Sequence, residues 1–119
     1  MPDDELLVSV EVTFEDAESF SGATVYVRLE DVSRADLAAR VIAEQVLRDV
    51  SLRPDRPAKL MISLRSKAVD EHARYAVRVH ADLDGDGQIS RGDYISMESY
   101  PVLTFGNPHE TIVRVRKVT

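Results

Sequence analysis

An all-β fold is what this sequence predicts: one single-domain antiparallel β-sandwich of about seven strands. Three observations carry the expectation. Apolar and polar residues alternate through most of the chain, which is the two-residue period of a half-buried strand. The alternating segments are short and separated by clusters of turn-forming residues, as in sandwiches. At 119 residues and 44% hydrophobic composition, residues 1–119 suffice for one core and leave no room for a second domain.

The elements follow in order. From Leu7 to Phe14, Val8, Val10, Val12 and Phe14 face one side, and Ser9, Glu11 and Thr13 the other. After a polar connection from Glu15 to Gly22, the segment Thr24 to Glu30 points Val25, Val27 and Leu29 inward. Asp31 to Asp36 is a charged loop. Leu37 to Val50 is ambiguous on periodicity alone: Ala38, Ala39 and Ala43 favour helix, and Ile42, Val46 and Val50 recur every four residues. Pro54 and Pro57 bracket a turn-rich loop. Lys59 to Arg65 directs Leu60, Ile62 and Leu64 inward, and Arg74 to Ala81 does the same with Tyr75, Val77 and Val79. A strand runs from Tyr94 to Tyr100, Pro101 ends or bends it, and Phe105 to Pro108 is a turn. Thr111 to Val118 closes the chain with Val113 and Val115 inward and Arg114 and Arg116 outward.

One stretch points to chemistry. Asp82-Leu83-Asp84-Gly85-Asp86-Gly87-Gln88-Ile89-Ser90-Arg91-Gly92-Asp93 places carboxylates at positions 1, 3, 5 and 12 of a twelve-residue loop. Calcium takes six to eight hard oxygens, and a loop of this length wraps them around one ion. Position 7 contributes a backbone carbonyl, here Gln88, and position 9 a side chain or a water, here Ser90. Gly87 stands where the loop must turn sharply and φ > 0 is required. The pattern is that of an EF-hand loop with Asp93 in place of the final glutamate, and it resembles dockerin calcium loops, which also accept aspartate there. Asp82, Asp84, Asp86, Gln88, Ser90 and Asp93 are therefore the expected Ca²⁺ ligands, with Ile89 turned into the core. Flanking segments that read as strands put the loop at the tip of a β-hairpin. The competing reading is an Asp/Gly turn without metal, but four acids in register repel one another unless a cation joins them.

Composition excludes several classes. The net charge of −6 argues against a nucleic-acid partner. With no cysteine there is no disulfide framework, thiolate nucleophile or lipid attachment. No apolar run approaches the ~20 residues of a membrane span. The acidic start, Met1-Pro2-Asp3-Asp4-Glu5, is not a signal peptide, so the chain is expected in the cytoplasm, or in the envelope if a leader has been removed. His72, His80 and His109 share no metal-ligand spacing, and His80 is expected at the surface, opposite Val79. No nucleophile elbow or phosphate-cradling loop is present, so no catalytic residue and no enzymatic activity are assigned. The basic edge of Arg114, Arg116 and Lys117 reads as protection against strand addition.

Three segments together resemble the YbaY/YscW-like lipoproteins. Val25-Tyr26-Val27-Arg28-Leu29-Glu30-Asp31-Val32-Ser33-Arg34-Ala35-Asp36 is similar to that family's strand ending in Leu-x-Asp-Val-Ser. Val41-Ile42-Ala43-Glu44-Gln45 is similar to its next strand, and Tyr100-Pro101-Val102-Leu103-Thr104-Phe105-Gly106-Asn107-Pro108 to its Tyr-Pro-Val-Leu-Thr segment. The resemblance implies an all-β sandwich and makes Val41 to Leu47 a strand. It also implies a bacterial envelope protein, one branch of the family serving as pilotin or chaperone for an outer-membrane secretion ring. The chain differs from the family in lacking a lipid-bearing cysteine and in carrying the Asp82–Asp93 loop where a plainer hairpin is usual.

The function expected from these readings is a non-enzymatic, calcium-binding module for a protein partner, with Tyr26 and Tyr100 either exposed aromatics for that partner or half-buried packing. The alternative is a carbohydrate-directed module with a structural calcium, which the absence of Trp disfavours. The sequence leaves the oligomeric state open.

Overall fold

The computed structural model describes residues 6–14, 19–34, 38–53, 59–66 and 69–119. The Pro54–Pro57 loop, the acidic start and parts of the connections after Phe14 and Arg34 lie outside these residues. Eight strands and no helix occur among the described residues: β1 (Leu6–Phe14), β2 (Phe20–Asp31), β3 (Arg40–Leu52), β4 (Lys59–Ser66), β5 (Tyr75–Asp82), β6 (Tyr94–Ser96), β7 (Pro101–Val102) and β8 (Glu110–Lys117). The ambiguous stretch is thus a strand over Arg40–Leu52, as the family resemblance implies and its alanines do not. Tertiary pairing with β2 overrides local helix propensity.

All strands belong to one sheet, ordered β3-β2-β5-β6-β8-β1-β4, with β7 paired to β5 beside this path. The pairings are antiparallel except β1 with β8, the first and last strands, which run parallel. The sheet curls until its edge strands β3 and β4 meet without hydrogen-bonding, leaving a seam lined by Ile42–Gln45 on one side and Ser63–Arg65 on the other. The expected sandwich is therefore replaced by a nearly closed, barrel-like single sheet. Two features favour curling. Strands of 12 and 13 residues accumulate twist, and register shifts between β2 and β3 near Ala23 and Leu29 bend the sheet locally. A curled sheet buries its inner face against itself and needs no second sheet.

The inward residues are those the alternation selects. Val8, Val10, Val12, Val25, Val27, Val79, Val113 and Val115 are fully buried, each such side chain contributing on the order of 1.5–3 kcal/mol. Phe14, Phe20 and Tyr94 fill one end of the interior, with ring centroids 5.6 Å apart in each pair. The strand expected from Tyr94 to Tyr100 is shorter than the alternation indicated. After Ser96 the ladder stops, because the Ser96 hydroxyl takes over the β5 backbone there: it accepts from Val79 N at 3.0 Å and donates to Val79 O at 3.4 Å.

Candidate functional site

The Asp82–Asp93 loop joins β5 to β6, which pair as a hairpin through His80↔Ile95 and Ala81↔Tyr94. It runs straight into Tyr94, whose ring packs on Phe14 and Phe20. Asp82 and Asp93 are 1% exposed, whereas Asp84 and Asp86 lie in solvent. Asp82 organises the first half of the loop: Gly85 N donates to its Oδ1 at 3.0 Å and Gly87 N to its Oδ2 at 2.7 Å. Gly85 and Gly87 reach φ of 76° and 75° to aim those amides inward. Asp86 Oδ1 accepts from Gln88 N at 2.9 Å, and Asp84 Oδ2 from the Ser90 hydroxyl at 2.9 Å. Asp93 spans both ends, accepting from Leu83 N at 3.0 Å on Oδ1 and from Ser90 N at 3.2 Å on Oδ2.

One oxygen from each of Asp82, Asp84, Asp86 and Asp93 falls within 4.8 Å of the others. Opposite oxygens around a calcium ion at about 2.3–2.6 Å are separated by about 4.6–5.2 Å, and none of these four is farther than that from another. A carboxylate has about four acceptor sites, which leaves capacity beyond the loop amides on Asp82, Asp84 and Asp86. Asp93 has less to spare, because His80 Nε2 also binds its Oδ2 at 2.8 Å. The Asp84 carboxyl is lowered from 3.8 to about 2, chiefly by its hydrogen bond with Asp82 and next by that from Ser90. Four of the expected ligand side chains therefore converge. Ser90 joins them through its hydroxyl, and Gln88, with an exposed side chain, is tied into the loop by its backbone N–H on Asp86.

Two expectations about this region are corrected. Ile89 is 55% exposed, not inserted in the core. Strands β5 and β6 flank the loop, so there is no helix pair to receive it. His80 is 5% exposed. It does lie on the outer face opposite Val79, but Tyr26 of β2 stacks on its ring at 5.8 Å and 22°, and Asp93 binds its nitrogen. Against a carboxylate, Nε2 carries the hydrogen and donates it. A row of contacts continues outward from there. The Arg28 guanidinium lies 5.0 Å from the Tyr26 ring, and Glu44 of β3 pairs with Arg28 Nε. The register partners Tyr26↔His80 and Arg28↔Glu44 could have been found only by knowing the pairing of β2 with β5 and β3.

The opposite end of the barrel collects the segments that carry the family resemblance. Asp31 accepts from both the amide and the hydroxyl of Ser33, and this holds its carboxyl below the usual range, with smaller help from Arg40 and Arg34. Ser33 Oγ in turn accepts from Arg74 N at 2.9 Å, while Val32 N donates to Arg74 O at 2.8 Å. From the other segment, Thr104 Oγ1 donates to Ala73 O at 2.6 Å, and Arg74 lies 4.6 Å from the Phe105 ring centroid. Tyr100 is half-buried, its hydroxyl bonded to the Arg114 backbone. Tyr26 is half-buried also, so neither tyrosine is a free aromatic platform.

The family described as type III secretion system lipoprotein chaperone (YscW) matches residues 4–115. A solved structure of an alternative pilotin from the type II secretion system of Vibrio cholerae has the same fold, with a TM-score of 0.78 over 97% of this chain and 98% of that one, at 23% identity. No curated protein sequence matches the chain. These findings correct the cytoplasmic expectation, because a lipoprotein chaperone works at the cell envelope. An acidic start and a lack of cysteine do not decide a compartment. Pilotins and secretion chaperones assemble other proteins and catalyse no reaction, in agreement with the absence of a catalytic assignment. A match reaching from residue 4 to residue 115, over a barrel-like all-β fold, makes this chain a member of the YscW family of type III secretion lipoprotein chaperones.

Proposed function

We propose that this protein is an assembly chaperone that binds a subunit of an outer-membrane secretion ring, and that its Asp82–Asp93 loop holds one stabilising Ca²⁺. The observation that carries the first part is the family match across residues 4–115. The likeness to a pilotin over 97% of the chain supports the fold it requires. Co-expression with the ring-forming subunit of a secretion system from the same genome tests it: the two proteins co-elute on size exclusion. Separate elution under conditions where both are folded rejects the reading.

The convergence of four aspartate oxygens supports the calcium part. Asp82, Asp84, Asp86, Asp93, the Gln88 carbonyl and Ser90, directly or through water, supply the shell. The ion neutralises carboxylates that otherwise repel at one hairpin tip. Magnesium, which demands a tighter octahedron and releases water reluctantly, competes less well. Free calcium at a hundredfold over Kd adds about 2.7 kcal/mol to native stability. Thermal melts in EDTA and in millimolar calcium read this directly. The gain is lost in Asp82→Ala and in Asp84→Asn. A wild type that melts identically in both buffers, with no binding heat in calorimetry, makes the loop a turn only.

A further inference from the structure

Two non-glycine residues in the loop after β7 occupy the left-handed region: Leu103 at φ 76° and Phe105 at φ 56°. An L-residue there costs roughly 1–2 kcal/mol, and the surrounding bonds hold it in place. Thr104 is tied to Ala73 O, Asn107 donates to Thr104 O at 2.8 Å, and Leu103 N donates to Pro108 O at 3.0 Å. The result of this strain is a phenylalanine held outward, 58% exposed, with the exposed Arg74 guanidinium against its face. Strained backbone that displays an apolar ring to water has no folding rationale, and such strain gathers at binding sites.

The ring does not stand alone. Ser33, which accepts from Arg74 N, also lines a shallow groove with Asp31, Arg34 and Arg40. Arg34, Arg40 and Arg74 form no ion pair within 4 Å among the described residues. Arg34 and Arg40 therefore flank one carboxylate, Asp31, and the Arg74 guanidinium stands over Phe105, on a protein whose net charge is −6. Arginine beside an aromatic is the composition of interface anchors. On a chain of net negative charge, these arginines are where an acidic segment finds attraction.

We propose that Phe105, Arg74, Arg34 and Arg40 form the docking surface for an acidic segment of the partner protein, with an aromatic or aliphatic residue of that segment packing on Phe105. This rests on the reading of the protein as an assembly chaperone and locates where that chaperone grips. Carboxylates of the segment pair with the arginines, as bidentate guanidinium contacts allow. The calcium loop, at the far end of the barrel, takes no part.

Fluorescence anisotropy with two labelled peptides tests the surface: Gly-Asp-Glu-Phe-Asp-Glu-Gly and its lysine counterpart Gly-Lys-Lys-Phe-Lys-Lys-Gly. Wild type binds the acidic peptide about tenfold or more in preference to the basic one, and added salt weakens it. Phe105→Ala and Arg74→Ala each lose about fivefold or more, with circular dichroism unchanged. Equal binding of both peptides by wild type overturns the proposal, as does an undiminished preference in both variants. Binding to phosphatidylglycerol vesicles that depends on the same residues, with no peptide preference, overturns it in favour of a membrane surface. The two readings fail separately: a ring subunit that never co-elutes rejects the chaperone, whereas one retained equally by wild type, Phe105→Ala and Arg74→Ala rejects only this surface.

Discussion

Asp31 is a single residue on which one end of the molecule turns. Its carboxylate collects two donors from Ser33, and Ser33 passes the connection on to Arg74, just ahead of the neighbouring strand β5. Its pKa is lowered in the folded chain, first by the Ser33 hydroxyl and then by the Ser33 amide. A carboxyl lowered on folding stabilises the native state above its unfolded pKa, and that contribution is lost as pH falls through the folded value. Asp31→Asn is thus less stable than wild type at pH 7, by about 1 kcal/mol or less for so exposed a group. Urea titrations of the two proteins converge as the pH falls below about 4, the unfolded aspartate range. A gap that persists at pH 2 means the charge is not its source. His80 teaches a different lesson at the same scale. Alternation correctly puts it on the face opposite Val79. What covers that face is Tyr26, and no local pattern announces a cover that arrives from another strand.

At the scale of elements, strands were legible and their extents less so. A period of two is a local property, and β1, β4, β5 and β8 begin and end within a residue or two of the alternation. β6 breaks off early because Ser96 bonds sideways to Val79, a competition between side chain and ladder that alternation does not register. The loop was legible for the same reason strands were: its spacing is local. The position of Asp93 was not, since both of its oxygens are drawn on by loop amides and by His80. Phe105 to Pro108 reads as a turn in the sequence, but the strain at Leu103 and Phe105 is invisible there because neither is a residue that favours positive φ. That strain has a measurable signature. At position 105, glycine is expected to be more stable than alanine by about 1 kcal/mol, the reverse of their usual order in extended chain. Denaturation of Phe105→Gly and Phe105→Ala measures it, and alanine equal to or above glycine means the backbone relaxes without cost.

For the whole molecule, the all-β class followed from pattern, but closure did not. Whether seven or eight strands fold as two layers or as one curled sheet depends on which edges meet, and that is set by twist and bulges summed over the sheet. The seam between β3 and β4 is the outcome, and it grades stability across the barrel. β1 lies between β8 and β4, and β5 between β2 and β6, whereas one side of β3 has no ladder. Amide hydrogen exchange is expected to be slowest at Val8–Val12 and Val77–Ala81, and fastest among amides of β3 that face the seam. Uniform protection across all strands means the seam closes in solution. The parallel pairing of first and last strands has a practical side. Ser9 lies beside Glu110, with Ser9 N bonded to His109 O, and Lys117 beside Tyr94, with Val118 N bonded to Asp93 O. The chain thus enters at the end that carries Phe105 and leaves at the end that carries the aspartate loop. A leash fixed ahead of β1 holds the Phe105 end near its support and turns the loop outward; a leash after β8 inverts the molecule. The choice of terminus for a lipid, a tag or a sensor surface is therefore also the choice of which pole a visitor meets.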